Sequence, residues 1–179
     1  MRALRLAVDP ETASRAGRAV AEQVDGIAEY RCCRRIVAYA ELPGELPLAC
    51  LIERARADGK AVLWPRQRPD GTLEFAPCER VEGLAAGRYG VREPPPATPA
   101  VPAGPDFLLL VPGVAFDERG GRLGRGGGAW DRALAASRGA FAVGVGYEFQ
   151  VVNAVPREAH DRPIAALLTE RGARRCSGR

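Results

Sequence analysis

Strand-length apolar runs alternate with amphipathic stretches along most of the chain. Asp9–Pro10–Glu11 has the composition of a helix start, and Ala13, Ala16, Val20, Val24 and Ile27 then recur at helical spacing. "RRIVAYA", Arg34 to Ala40, is a short apolar strand. In "LPLACLIERARADGK" the residues Leu48, Leu51, Ile52 and Ala55 share one helical face, and Gly59 closes the helix. "KAVLWP" and "TLEFAP" read as two strands around the turn "RPDG". "FLLLVP", "AFAVGVG" and "IAALLT" are buried strands, and Ala129 to Ser137 forms a helix. "EPPPATPAVPAGP", Glu93 to Pro105, has too many prolines for a helix or central strand, so it is a surface crossing or a lid. Apolar strands separated by helices predict an α/β fold, a three-layer sandwich with a mainly parallel sheet and helices on both faces. Such sheets bind ligands beyond the carboxyl ends of their strands. No internal repeat is visible.

Composition narrows the class. A chain of 179 residues suits one domain spanning residues 1–179. No apolar run is long enough for a membrane span, and the N-terminus lacks the apolar block of a secretory signal. The five cysteines form no C-x-x-C pair, and adjacent Cys32 and Cys33 suit neither a disulfide framework nor a zinc site. Reduced thiols in a cytoplasmic protein are expected. The net charge of +4 is modest, and the basic residues are scattered rather than gathered. Neither a nucleic-acid partner nor a membrane partner is therefore expected, and a monomer is.

The chemistry concentrates in "RLGRGGGAWDR", Arg122 to Arg132. Glycines let backbone N–H groups approach a ligand closely. The start of a helix adds unpaired N–H groups and a partial positive charge. Arginines add planar, permanently charged donors. These features point to an anion, most simply a polyphosphate. Asp131 beside it calls for a hard cation, because Mg²⁺ binds one or two carboxylates together with substrate phosphates.

Three phosphate motifs compete for this loop. A P-loop needs Lys and Ser or Thr after the glycines, and neither is present. A dinucleotide fingerprint fits Gly124, Gly126 and Ala129, with Glu148 as the ribose-binding acid. Its first glycine should end the strand directly, yet "GVAFDERGGR" intervenes. The third option is a loop outside the standard nucleotide motifs.

"LLLVPGVAFDERGGRLGRGGGAWDRAL" resembles the signature of the 5-formyltetrahydrofolate cyclo-ligase family, roughly P-G-x-x-F-d-x-x-G-x-R-L-G-x-G-x-G-Y-Y-D. "GKAVLWPR", "GRYGVREP" and "VPREAHDRPIAALLTE" are similar to further family segments, in the family's order. The resemblance implies a Mg·ATP-dependent conversion of 5-formyltetrahydrofolate to 5,10-methenyltetrahydrofolate, with ADP and phosphate as products. It implies that Arg122 and Arg125 contact the transferring phosphate and that Gly124, Gly126, Gly127 and Gly128 hold the polyphosphate. It implies Asp131 and Asp161 as Mg²⁺ ligands, Glu45 and Tyr89 against the folate, and Arg2 and Arg5 on ATP phosphates. His160, the only histidine, is read as a surface residue beside Asp161.

The chain departs from the family pattern at three places. Tyr-Tyr-Asp becomes Ala129–Trp130–Asp131, so Trp130 takes a tyrosine site that would face ATP and the folate pocket. At four-residue spacing from Leu134 it could instead cover the helix against the sheet, and the pocket is the favoured placement. The family's phosphate-binding lysine position falls on Met1, with Arg2 one residue away. The folate-loop pattern E-[VI]-[DE]-T appears as Glu45–Leu46–Pro47–Leu48. These changes leave open a diverged member that acts on another substrate, or one that binds a nucleotide or folate without catalysis.

Overall fold

The computed structural model describes residues 1–178, without the side chain of Tyr89. In chain order its elements are α1 (Arg2–Leu6), α2 (Pro10–Gln23), α3 (Ala28–Cys32), β1 (Arg35–Val37), α4 (Ala49–Ala57), β2 (Ala61–Gln67) and β3 (Leu73–Pro77). They continue with β4 (Ala85–Ala86), β5 (Arg92–Glu93), β6 (Phe107–Pro112), β7 (Ala115–Phe116), β8 (Arg122–Leu123), α5 (Ala129–Ala136), β9 (Phe141–Val145), β10 (Ala166–Thr169) and β11 (Gly172–Arg175).

Seven strands form one sheet in the order β11-β10-β9-β6-β1-β2-β3. The five inner strands run parallel, and β3 and β11 close the edges antiparallel. β6 lies in the middle with five of its six residues buried, which explains its uninterrupted apolar sequence. Side chains alternate between the faces. Ile36, Trp64, Leu108, Leu110, Val143 and Leu168 pack on one face with α2 and α4. Val37, Leu63, Leu109, Val111 and Leu167 pack on the other with Phe116 and Ala133 of α5. The expected three layers are present but unequal, since among the described residues α5 is the one helix contributing to the second face.

Chain direction creates a switch point. From β1 the chain moves outward to β2, and from β6 it moves the opposite way to β9 and β10. The crevice beyond the carboxyl ends of β1 and β6 is therefore where a ligand is expected. Both loops that leave those ends carry residues singled out above.

Several local expectations need adjusting. The first amphipathic stretch is not one helix. α2 starts as read, with Asp9 Oδ1 accepting the Thr12 N–H at 2.9 Å, but it ends at Gln23. A 3-10 turn over Val24–Gly26 leads into α3. Val24 and Ile27 stay buried across the break, so their spacing reported burial rather than helix. Gly26 marks the break because a Cβ there would lie 2.8 Å from Ala173 Cβ on β11.

The proline-rich segment is a pinned crossing, not a free lid. Arg66 on β2 donates to the carbonyls of Pro95 and Thr98, and Val101 N–H donates to Phe75 O at 2.7 Å. Among the described residues no helix is long and apolar enough to cross a membrane. All five cysteines are free.

Candidate active site

The site is built around Gly113, the residue after β6. Its carbonyl accepts from Arg5 Nη1 at 2.9 Å and from Gln150 Nε2 at 2.9 Å. A Cβ at Gly113 would lie 3.2 Å from Arg122 Cγ and 2.6 Å from Phe116 Cζ, so only glycine allows these side chains to close in. Arg5 from α1, Arg122 from β8 and Gln150 from the turn after β9 thus converge on one backbone position.

Arg5 also faces the loop after β1. Its Nη2 lies 3.9 Å from Glu45 Oε1, and both side chains are under a tenth exposed. Glu45 Oε2 accepts the Leu42 N–H at 3.0 Å. Burial pushes the Glu45 carboxyl above its usual range; the Leu42 hydrogen bond and the fields of Arg5 and Arg125 oppose this without cancelling it. The field of Arg125 therefore reaches Glu45, although Arg125 itself is exposed.

Arg122 makes the second half of the site. Its Nη2 donates to Asp131 Oδ2 at 2.7 Å, and its side chain is 4% exposed. Asp131 Oδ1 accepts the Arg162 N–H at 3.3 Å. Asp161, the preceding residue, accepts the Glu158 N–H at 2.7 Å. One backbone amide thus ties the two acidic residues together. His160 is exposed and close to Glu158 and Asp161, in keeping with a surface role.

The glycine loop runs between these halves. Gly126 and Gly128 have φ of 91° and 61°, a region other residues enter only with strain, and Gly128 caps α5 from it. Space beside Gly126 and Gly127 is open to 4 Å. Gly124 is tighter, since a Cβ there would meet Arg122 Nη1 at 2.7 Å. Arg132 Nη2 holds the loop from behind through Gly127 O and Gly71 O.

Two orphaned donors belong to this site. Arg5 Nε and Arg122 Nε are buried without a hydrogen-bond partner. These atoms are sealed from solvent, so what the site offers an anion is the charge of two guanidiniums held beside Gly113. Among the described residues no group of three or more His, Cys, Asp or Glu side chains could hold a metal ion. Asp131 and Asp161 beside an anion site fit the other pattern, a magnesium ion that arrives with phosphates and takes few protein ligands.

The remaining candidates divide. Arg2 is exposed on α1. Trp130 is half-buried on α5, with its ring centroid 6.5 Å from that of Phe75, and it packs against both apolar layers. Its covering role is therefore realised. The side chain of Tyr89 lies outside the described residues. The dinucleotide reading fails. Glu148 is bound by Arg174 and Thr169, and the β7–β8 pair separates β6 from the glycines. Gly113 and Gln150 were missed. Gly113 does stand inside the quoted signature, but nothing in sequence marks Gln150.

Comparison with known proteins agrees with the geometry. The family model for the 5-formyltetrahydrofolate cyclo-ligase family matches residues 1–170. The 5-formyltetrahydrofolate cyclo-ligase of Escherichia coli is 31% identical over 174 residues, which is 94% of this chain and 96% of that protein. Its counterpart in Mycolicibacterium smegmatis is 34% identical over 142 residues, 76% of this chain and 73% of that one. The solved structure of Aquifex aeolicus 5,10-methenyltetrahydrofolate synthetase matches with a TM-score of 0.81 at 30% identity, covering 99% of this chain and 90% of that one. A 5,10-methenyltetrahydrofolate synthetase from Mycoplasma pneumoniae shares the fold, with a TM-score of 0.70 at 19% identity over 94% of this chain and 93% of that one.

Proposed function

The chain belongs to the 5-formyltetrahydrofolate cyclo-ligase family, and from that premise we propose that it closes 5-formyltetrahydrofolate to 5,10-methenyltetrahydrofolate at the expense of ATP. The chemical difficulty is the formyl oxygen, a poor leaving group. Transfer of the γ-phosphoryl group to that oxygen makes it a good one. N10 of the folate then attacks the activated carbon and gives up its proton to solvent, the ring closes, and phosphate leaves.

Phosphoryl transfer needs positioning and charge neutralisation more than covalent help. Arg122 and Arg125 supply fixed positive charge where phosphate charge spreads in the transition state. The N–H groups of Gly124, Gly126, Gly127 and Gly128 cradle the polyphosphate, and Arg5 and Arg2 add positive charge to its phosphates. Glu45 and Tyr89 orient the folate. Trp130, at the start of α5 beside the loop, supports it by packing on Phe75. Asp131 and Asp161 would hold the magnesium ion, which when bound supplies charge screening to the phosphates. The Arg122–Asp131 ion pair gives that arginine a fixed orientation before any ligand enters.

One observation carries the proposal. Arg5, paired with Glu45, and Arg122, paired with Asp131, both abut Gly113. Phosphates held by the two arginines would therefore lie beside Glu45, where the formyl acceptor is placed. The test is incubation of the protein with Mg·ATP and 5-formyltetrahydrofolate. Methenyl product, read by its absorbance at acid pH, should form together with ADP. ATP consumption without methenyl product would contradict the proposal, as would no reaction.

A further inference from the structure

Asp117 lies in the hairpin between β7 and β8 and is 2% exposed. Nothing in the reaction above uses it. Its carboxylate is nevertheless saturated. Oδ1 accepts the N–H groups of Arg119 at 2.9 Å and Gly121 at 2.8 Å, and Nη2 of Arg157 at 2.8 Å. Oδ2 accepts the Val155 N–H at 3.0 Å. The first two bonds lie within its own hairpin. The other two reach a separate segment, Val151 to Ile164.

That segment is joined to the hairpin on either side of the carboxylate. Val152 N–H donates to Phe116 O at 2.8 Å, and Ile164 N–H donates to Gly120 O at 3.0 Å. Between these points lies the stretch with Glu158, Asp161 and Arg162. Arg122 follows Asp117 by five residues, and Arg162 follows Arg157 by five. Both branches end on Asp131, one as a guanidinium on Oδ2 and the other as an amide on Oδ1.

We infer that Asp117 is a positioning residue for the phosphate and metal end of the site. It clamps the strand pair that carries Arg122 to the segment that carries Asp161 and Arg162, and so fixes what meets at Asp131. The inference rests on the function proposed above, and it assigns Asp117 no contact with substrate. Its carboxylate has four protein donors already, and it is sealed from solvent. Groups that orient ligand-holding residues from outside the site commonly change metal affinity by about 10–100-fold when removed. Among the described residues Glu45 and its loop share no hydrogen bond with the clamp, so the effect should be one-sided.

Equilibrium binding tests this without requiring turnover. Mg·ATP and 5-formyltetrahydrofolate are titrated separately into wild type, Asp117→Asn, Arg157→Ala and Arg157→Lys, with a magnesium titration at fixed ATP. Asp117→Asn should weaken Mg·ATP by about tenfold and raise the magnesium requirement, while folate affinity stays within about twofold. Arg157→Ala loses one of the four bonds and should weaken Mg·ATP by about threefold, with partial recovery in Arg157→Lys. If Asp117→Asn does not fold, the two Arg157 variants decide alone. Unchanged Mg·ATP affinity in the folded variants would overturn the inference. So would equal weakening of both ligands, which marks general loosening. A wild type that binds Mg·ATP but forms no product would sink the proposed function and leave the clamp testable. A wild type that binds no Mg·ATP would sink both.

Discussion

Trp130 shows how one residue can be read in two ways. Its place in the motif points to the ligand, and its spacing from Leu134 points to the sheet. The structure gives the indole a partner in Phe75 and a place between both apolar layers. Trp130→Tyr should therefore lose packing, at a cost of about 1–2 kcal/mol. For a chain of this size that lowers the melting temperature by roughly 2–8 °C. The Michaelis constant for 5-formyltetrahydrofolate should be unchanged. Thermal melting and steady-state kinetics on this variant check both statements. Unchanged melting with a lower Michaelis constant would mean that the ring faces folate instead. The motif correctly marked Trp130 as a departure, but Phe75 lies 55 residues earlier, on a different element. No local pattern could have named that partner.

At the scale of elements, the long apolar runs were legible because their burial is continuous. β6, β9 and β10 have buried residues throughout or nearly so, and their sequences are apolar without alternation. The elements that escaped are short or polar. β7 and β8 have two residues each, and β11 is Gly-Ala-Arg-Arg on a sheet edge.

Two carboxylates at connections between elements, Asp117 and Glu148, contribute to acid stability. Burial alone would raise the Asp117 carboxyl, but the N–H groups of Val155 and Gly121 and the Arg157 guanidinium more than offset it, so it lies below the ordinary range. Glu148 behaves likewise, with Arg174 and Thr169 outweighing its burial. The unfolded chain binds protons more readily than either site. Their contribution is thus complete above the ordinary carboxylate range, about pH 4–5, and is lost as the pH falls through the lower folded values. Glu45 has the opposite sign. Its carboxyl is raised by burial, so what it contributes is present at low pH and lost as the pH rises through its folded value. Urea midpoints across pH should fall steeply in acid, and Asp117→Asn with Glu148→Gln should flatten that fall. An acid limb unchanged by the double substitution would contradict this assignment.

At the scale of the whole molecule, the site depends on strand order. β1 and β6 are neighbours in the sheet although about seventy residues separate them, and their parallel register brings the Glu45 loop beside Gly113. The sequence displays the glycine loop, both arginines and Asp131 as a local cluster, with Asp161 thirty residues further on. It does not display the junction at Gly113 or the contribution of Gln150, because those arise only once the sheet is assembled. The proposed function places the phosphate donor and the formyl acceptor together at that junction. The formyl oxygen can be followed directly. With a heavy-oxygen label in the formyl group of 5-formyltetrahydrofolate, one turnover with Mg·ATP should deliver the label to the released phosphate, as mass spectrometry would read. Methenyl product accompanied by unlabelled phosphate, with the label released into water, would contradict phosphoryl transfer to that oxygen.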